Sequence, residues 1–218
     1  MSPAKQDTTP VAYSRAKYDL NTGDIVLFRA RPWRLDPRSW KGALVGSLIT
    51  WFGRSDYSHA GMLVACLGEW YVAEQVEGYG GRLQPLAMYA ATHSGEIDVF
   101  RPVDPNYDGV KAAKSMLRAV GTPYGYRVIL KAFAMHLPGV RHFAKSVARN
   151  KPWAGPFSCS GEISRAMDEG GSDPVGDLPH EHTEPGDLAR SPIINRGYLF
   201  TIVADPVSDG PIGVFAPE

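Results

Sequence analysis

The chain has 218 residues, 44% of them hydrophobic and 11% aromatic, which is enough for one domain with a sizeable buried core. Its 23 basic and 23 acidic side chains cancel, so the electrostatic case for a dedicated nucleic-acid binder falls away, and two cysteines cannot build a disulfide framework. No apolar run approaches the ~18 residues of a membrane span, and the first twenty residues lack the apolar stretch of a secretory signal, so a cytoplasmic protein without a transmembrane segment is the expectation.

Residues 1–18 carry Pro3 and Pro10 without apolar periodicity and read as a flexible leader, which leaves residues 19–218 as a single domain. Asn21-Thr-Gly-Asp24 is a turn-forming cluster that introduces a short buried strand over Asp24–Phe28. A connection rich in Trp and Arg follows, then a helix over Gly42–Phe52 with Leu44, Leu48, Ile49 and Phe52 at helical spacing. The clearest hairpin joins His59–Cys66 to Tyr71–Val76 through a tight turn that places Gly68 at its first central position. After a loop with room for one helical turn comes a strand over Ile97–Phe100. Asp104 and Pro105 then read as an N-cap and first helical residue, with Val110, Ala113, Leu117 and Val120 as the apolar stripe of a helix that stops at Gly121. A helix over Cys159–Asp168, ended by Gly170-Gly171, and a strand over Tyr198–Ala204 complete an α+β domain with a mainly antiparallel sheet packed against helices.

The two cysteines have different settings. Strand alternation puts His59, Gly61, Leu63 and Ala65 on one face and Ala60, Met62, Val64 and Cys66 on the other, so Cys66 reads as a small core residue. Cys159 stands where a loop turns into a helix, facing unpaired backbone amides that favour a thiolate. Ile163 and Met167, one and two turns on, mark the buried stripe and point the sulfur toward the sheet. A thiol nucleophile needs a base and the base an orienting partner. His59 opens a strand at a sheet end, whereas His93, His136 and His142 read as solvated. His180 and His182, beside Glu181 and Glu184, form an H-x-H pair that lacks the partner spacing of a zinc site. If Gly68 and Glu69 form the hairpin loop, Glu74 falls opposite Leu63, on the face of His59 but about 13 Å along the strand at ~3.3 Å per residue. Glu77 is nearer but faces the other way, and a bulge would change either placement.

Thr22–Phe28, Ser55–Val64, Tyr71–Glu74, Gly121–Tyr124 and Phe157–Glu162 occur in an order that resembles the permuted papain-like cysteine hydrolases of the NlpC superfamily, within it the YiiX/YebB-like group. The likeness spans residues 20–192, ending in a proline-containing loop, Glu184–Pro192. It implies a circularly permuted papain-like fold, with Cys159 as nucleophile, His59 as general base and Glu74 as the orienting residue, Glu77 being held in reserve. The Cys159 N–H would form part of an oxyanion hole, and Tyr57 and Tyr124 would line the cleft. The function so implied is hydrolysis of an amide bond by a peptidase or amidase, peptidoglycan peptides included, through an acyl-enzyme and without metal or cofactor. A lipid acyl hydrolase or acyltransferase, as in the lecithin retinol acyltransferase branch, and a non-catalytic binding module are the alternatives. The expected partner is therefore a peptide or acyl substrate, not a nucleic acid.

Two departures stand out. Ser158 precedes the nucleophile where the unpermuted cell-wall peptidases carry Asp, and residues 125–158 look like an insertion. Within it Arg127, Lys131, Arg141, Lys145, Arg149 and Lys151 accompany apolar residues broken at Pro138-Gly139, a pattern of basic amphipathic helices. That insertion reads either as a lid for an anionic or lipidic substrate or as a neighbour of the acidic stretch 162–187. Arg29, Arg31, Arg34, Arg38 and Lys41 read as a solvated basic face.

Overall fold

A computed structural model of the protein describes residues 10–29, 55–93, 95–125, 155–176 and 178–205. The helix expected over Gly42–Phe52 and the basic insertion, with His136 and His142, lie outside them. Seven strands form one sheet: β1 (Pro10–Ala12), β2 (Ile25–Arg29), β3 (Tyr57–Cys66), β4 (Glu69–Val76), β5 (Gly80–Pro85), β6 (Ile97–Phe100) and β7 (Tyr198–Val203). Their spatial order is β1-β7-β6-β2-β3-β4-β5, antiparallel throughout except for β1 beside β7. The chain is thus α+β with a mostly antiparallel sheet, as expected.

Helices cover both faces. On one lie α3 (Gly109–Arg118), α4 (Cys159–Glu169), α5 (Pro185–Arg190) and α6 (Pro192–Asn195), packed over Ile25, Leu27, Ala60, Met62 and Ala73. The other carries α1 (Tyr13–Ala16) and α2 (Leu86–Thr92), packed over Val26, Phe28, Leu63 and Val72. The alternation expected for β3 is therefore the real division between two cores.

Several expectations need correction. Residues 10–16 are not a loose leader: β1 pairs with β7, and Tyr13 and Ala16 are buried. Only three strand residues carry that attachment, too short a stretch to show periodicity. Helix α3 begins after Asp108, whose carboxylate accepts from the Lys111 N–H at 2.9 Å, whereas Asp104 caps a turn by accepting from the Asn106 N–H. Its buried face is Ala112, Ala113 and Met116, while Val110, Leu117 and Val120 are exposed. Small residues win that face because α4 comes close: a Cβ on Gly170 would stand 2.9 Å from Ala112 Cβ. Cys66 is exposed at the end of β3 rather than buried.

The hairpin register also differs. Observed pairs run from Met62↔Ala73 to Cys66↔Glu69, so the central turn residues are Leu67 and Gly68, both left-handed at φ 52° and 82°. Two positive φ values match the twist of the flanking strands, and that preference outweighs the modest strain at an exposed leucine. This shift of the turn decides the geometry of the site.

Strand β5, expected as loop, and helix α2, expected as no more than one helical turn, matter for the same reason. Gly81 exchanges backbone hydrogen bonds with the end of α3: its N–H donates to Thr122 O and its carbonyl accepts from the Gly121 N–H. A Cβ on Gly81 would lie 1.9 Å from the Ala119 carbonyl oxygen, a backbone atom that cannot rotate away. Gly81→Ala is expected to cost about 2 kcal/mol or more of stability, readable as a lowered midpoint in urea unfolding.

Candidate active site

Helix α4 starts at Cys159 because Ser158 caps it. The Ser158 backbone is extended, its hydroxyl accepts from the Gly161 N–H, and its carbonyl accepts from the Glu162 N–H at 3.0 Å. That capping role accounts for a serine at this position. Ile163 and Met167 are fully buried against the sheet, as the stripe predicts, and carry Cys159 inward to 3% exposure.

The thiol meets the sheet where β3 has no β4 partner. Pairing between those strands begins at Met62↔Ala73, so the Tyr57–Gly61 stretch of β3 is paired only with β2. Cys159 lies against that stretch: its sulfur interacts with the backbone of Ala60 and Ser160 and with the His59 ring. The two residues expected to come together do so.

Continuing the observed register places Glu74 across from Gly61, two residues from His59 on the same face, a diagonal neighbour rather than a distant one. Glu74 Oε2 lies 2.6 Å from His59 Nε2. This leaves Nδ1 as the ring nitrogen for the thiol. Gly61 is needed between them because a Cβ there would stand 2.2 Å from Val72 Cγ1. Glu77 lies in the turn after β4, and Glu74 is the carboxylate that reaches His59.

Two further residues complete the arrangement and escape the sequence reading. The other oxygen of Glu74, Oε1, accepts from Arg82 Nε at 2.8 Å and from the Tyr89 hydroxyl at 2.5 Å. Arg82 also donates to the Tyr89 hydroxyl at 3.0 Å. Arg82 sits directly opposite Glu74 in the β4–β5 ladder. Had β5 been recognised, that cross-strand pair of opposite charges would have been legible. Phe28 fixes the imidazole plane: its ring lies 5.3 Å from that of His59, with Tyr89 at 4.8 Å and His93 at 5.2 Å. His93, expected as solvated, is instead half-buried, with Nε2 3.3 Å from Arg29 O.

The electrostatics follow from these contacts. Burial alone would raise the Cys159 thiol, but the adjoining His59 charge and hydrogen bonds from His59, Ala60 and Ser160 hold it below its ordinary value. Burial likewise opposes the imidazolium, yet Cys159 and Glu74 push His59 up to about 10. Glu74, despite its burial, is held below the usual carboxylate range by His59, Tyr89 and Arg82. The favoured state is a thiolate beside an imidazolium backed by a carboxylate.

Tyr57 does not line the cleft as an open side chain. Its hydroxyl donates to Asp98 Oδ2 at 2.5 Å, inside a cluster in which Asp98 also accepts from Arg29 and the Thr201 hydroxyl. Burial, then the Asp98 charge, raises the Tyr57 phenol well above its ordinary value. Arg29 is accordingly half-buried rather than part of a solvated face. Tyr124 is buried. His180 fastens the 180–182 turn to α4, its Nδ1 2.8 Å from Ser164 Oγ and its Nε2 3.4 Å from Asp168 Oδ2. Among the described residues no group of three or more His, Cys, Asp or Glu converges as a metal-ligand set, and no helix is long and apolar enough to cross a membrane.

Among solved structures, the chain is similar to the crystal structure of the metalloprotein YiiX from Escherichia coli O157:H7, at 21% identity and a TM-score of 0.46, over 88% of this chain and 93% of that one. No family model and no curated protein matches it.

Proposed function

We propose that the protein is a cysteine hydrolase of permuted papain-like, NlpC-type architecture that cleaves an amide bond through an acyl-enzyme on Cys159. The observation that carries this reading is the unbroken chain of contacts from the Cys159 thiol through His59 to Glu74, assembled from three separate elements. In the first half-reaction the sulfur attacks the carbonyl carbon, forming a carbon–sulfur bond. His59 gives its proton to the leaving nitrogen as the amide bond breaks. Water then attacks the thioester, His59 takes one of its protons, and the carbon–sulfur bond breaks to release the acid and the thiolate. Glu74 keeps the ring oriented and the imidazolium favoured. The Cys159 N–H, at the first helical position, has no intrahelical acceptor and can donate to the developing oxyanion.

The test is alkylation of the purified protein with iodoacetamide across pH, with the labelled sites mapped by mass. Cys159 is expected to react well below the unperturbed thiol pKa of ~8.5, and at neutral pH faster than Cys66 despite the exposure of the latter. Equally slow labelling of both cysteines would overturn the hydrolase and favour a binding module on the same fold.

A further inference from the structure

Glu74 has a fully buried side chain and is in contact with two cationic partners, His59 on one oxygen and Arg82 on the other. A lone buried carboxylate against an imidazole holds the proton on the ring too firmly: the ring becomes a good partner for the thiolate and a poor acid for a leaving group. A carboxylate already neutralised from its far side orients the ring with less of that penalty. We propose that Arg82 is a positioning residue that sets the acid strength of His59 by balancing the charge of Glu74, so that the Glu74–Arg82 pair orients the imidazole much as a neutral amide would. The inference rests on the hydrolase reading and assigns a regulator of its base.

The geometry supports a dedicated role. Arg82 is opposite Glu74 in the ladder, and it reaches the carboxylate through Nε while donating through a terminal nitrogen to Tyr89, which itself donates to the same carboxylate oxygen. The Tyr79 ring lies under the guanidinium, with its centroid 4.9 Å away. The three contacts close a small ring of hydrogen bonds that fixes Oε1 and leaves Oε2 for His59. Ionisable groups facing this cluster come from each neighbouring element: His59 from β3, Arg82 from β5, Tyr89 from α2 and Cys159 from α4, with His93 on the far side of Phe28. Arg82 is the permanent cation of this set.

The experiment follows the His59 ring by NMR and the Cys159 thiolate by ultraviolet absorbance as pH is varied, in the full chain. Because the two groups titrate as a pair, both apparent values are compared between variants. Arg82→Gln removes a positive charge, so both protonated forms gain stability and both values should rise, by roughly one pH unit. Arg82→Lys should restore the wild-type profile. The Glu74→Gln/Arg82→Gln double variant is again neutral at the pair and leaves no buried carboxylate unpaired. Its imidazole should titrate closer to wild type than that of either single variant, which keeps the proposal testable if Arg82→Gln folds poorly. A merely structural Arg82 predicts altered stability with an unmoved pH profile, or a double variant further from wild type than both singles, and either result would overturn the proposal. If the wild-type protein shows no low-pKa thiolate coupled to His59, the hydrolase reading itself fails, a separate outcome visible before any Arg82 variant is made.

Discussion

His59→Ala is expected to slow alkylation of Cys159 at neutral pH by about a hundredfold or more, and to reduce turnover of any amide substrate by about a thousandfold. The sign follows from the contacts around the sulfur. Burial raises the Cys159 thiol, and the His59 charge is the largest influence opposing it. Removing the imidazole leaves the burial in place with only the Ala60 and Ser160 N–H groups opposing it, so the thiol moves up and the thiolate fraction at neutral pH falls. In the wild type the reactive pair begins to form as pH rises through the lowered Cys159 value and persists until His59 loses its proton near 10. Turnover needs the proton on His59, so it should fall on the alkaline side while alkylation does not. Wild type, His59→Ala and Cys159→Ala should be run side by side on muropeptides, aminoacyl amides and phospholipids. Cys159→Ala retaining activity would remove the acyl-enzyme, and cleavage of phospholipid alone would move the assignment to the lipid acyl branch.

Asp98→Ala is expected to be the most damaging change outside the site, costing about 3–5 kcal/mol. Asp98 is fully buried in β6 and is the common acceptor for Arg29, Tyr57 and Thr201, with the Tyr198 hydroxyl 2.9 Å from Thr201 Oγ1. These residues come from β2, β3 and β7, so one carboxylate ties β6 to both of its neighbours and to the strand beyond. Deleting it leaves the half-buried guanidinium with only Glu96 at 3.4 Å and the Tyr57 hydroxyl, and the buried Tyr57 phenol and Thr201 hydroxyl without the carboxylate they donate to. Thermal or urea unfolding would measure the loss, with Asp98→Asn retaining part of the stability. Because Tyr57 and Ala60 share the stretch of β3 that is paired only with β2, Cys159 alkylation in the same variant should also slow.

The components of the site were legible in the sequence to the extent that their signals are local. A cysteine at a loop-to-helix transition with Ile163 and Met167 behind it, and a histidine opening an alternating strand, can each be read within a few residues. Glu74 was harder because its position depends on the turn. Shifting the hairpin loop from Gly68-Glu69 to Leu67-Gly68 brings the carboxylate from a distant rung to a diagonal neighbour of His59. Leucine is an unusual residue for a left-handed turn position, so composition alone points to the wrong pair. Arg82 and Tyr89 were missed because β5 begins Gly-Gly and α2 is less than two full helical turns, neither of which offers a periodic pattern. The α3 stripe misled for a different reason: its larger apolar residues are on the surface, and close packing against α4 selects alanines instead.

The stretch of β3 that β4 leaves uncovered places the partners of the chemistry in two different layers, His59 and Glu74 with one core and Cys159 at the tip of a helix from the other. The sulfur is thus armed only by completed tertiary assembly. As a ribosome delivers this chain, the imidazole and carboxylate emerge long before the thiol, which remains an ordinary cysteine until α4 docks. Fraying of that helix would disarm the sulfur again while most of the sheet survives, so loss of thiol reactivity should precede global unfolding.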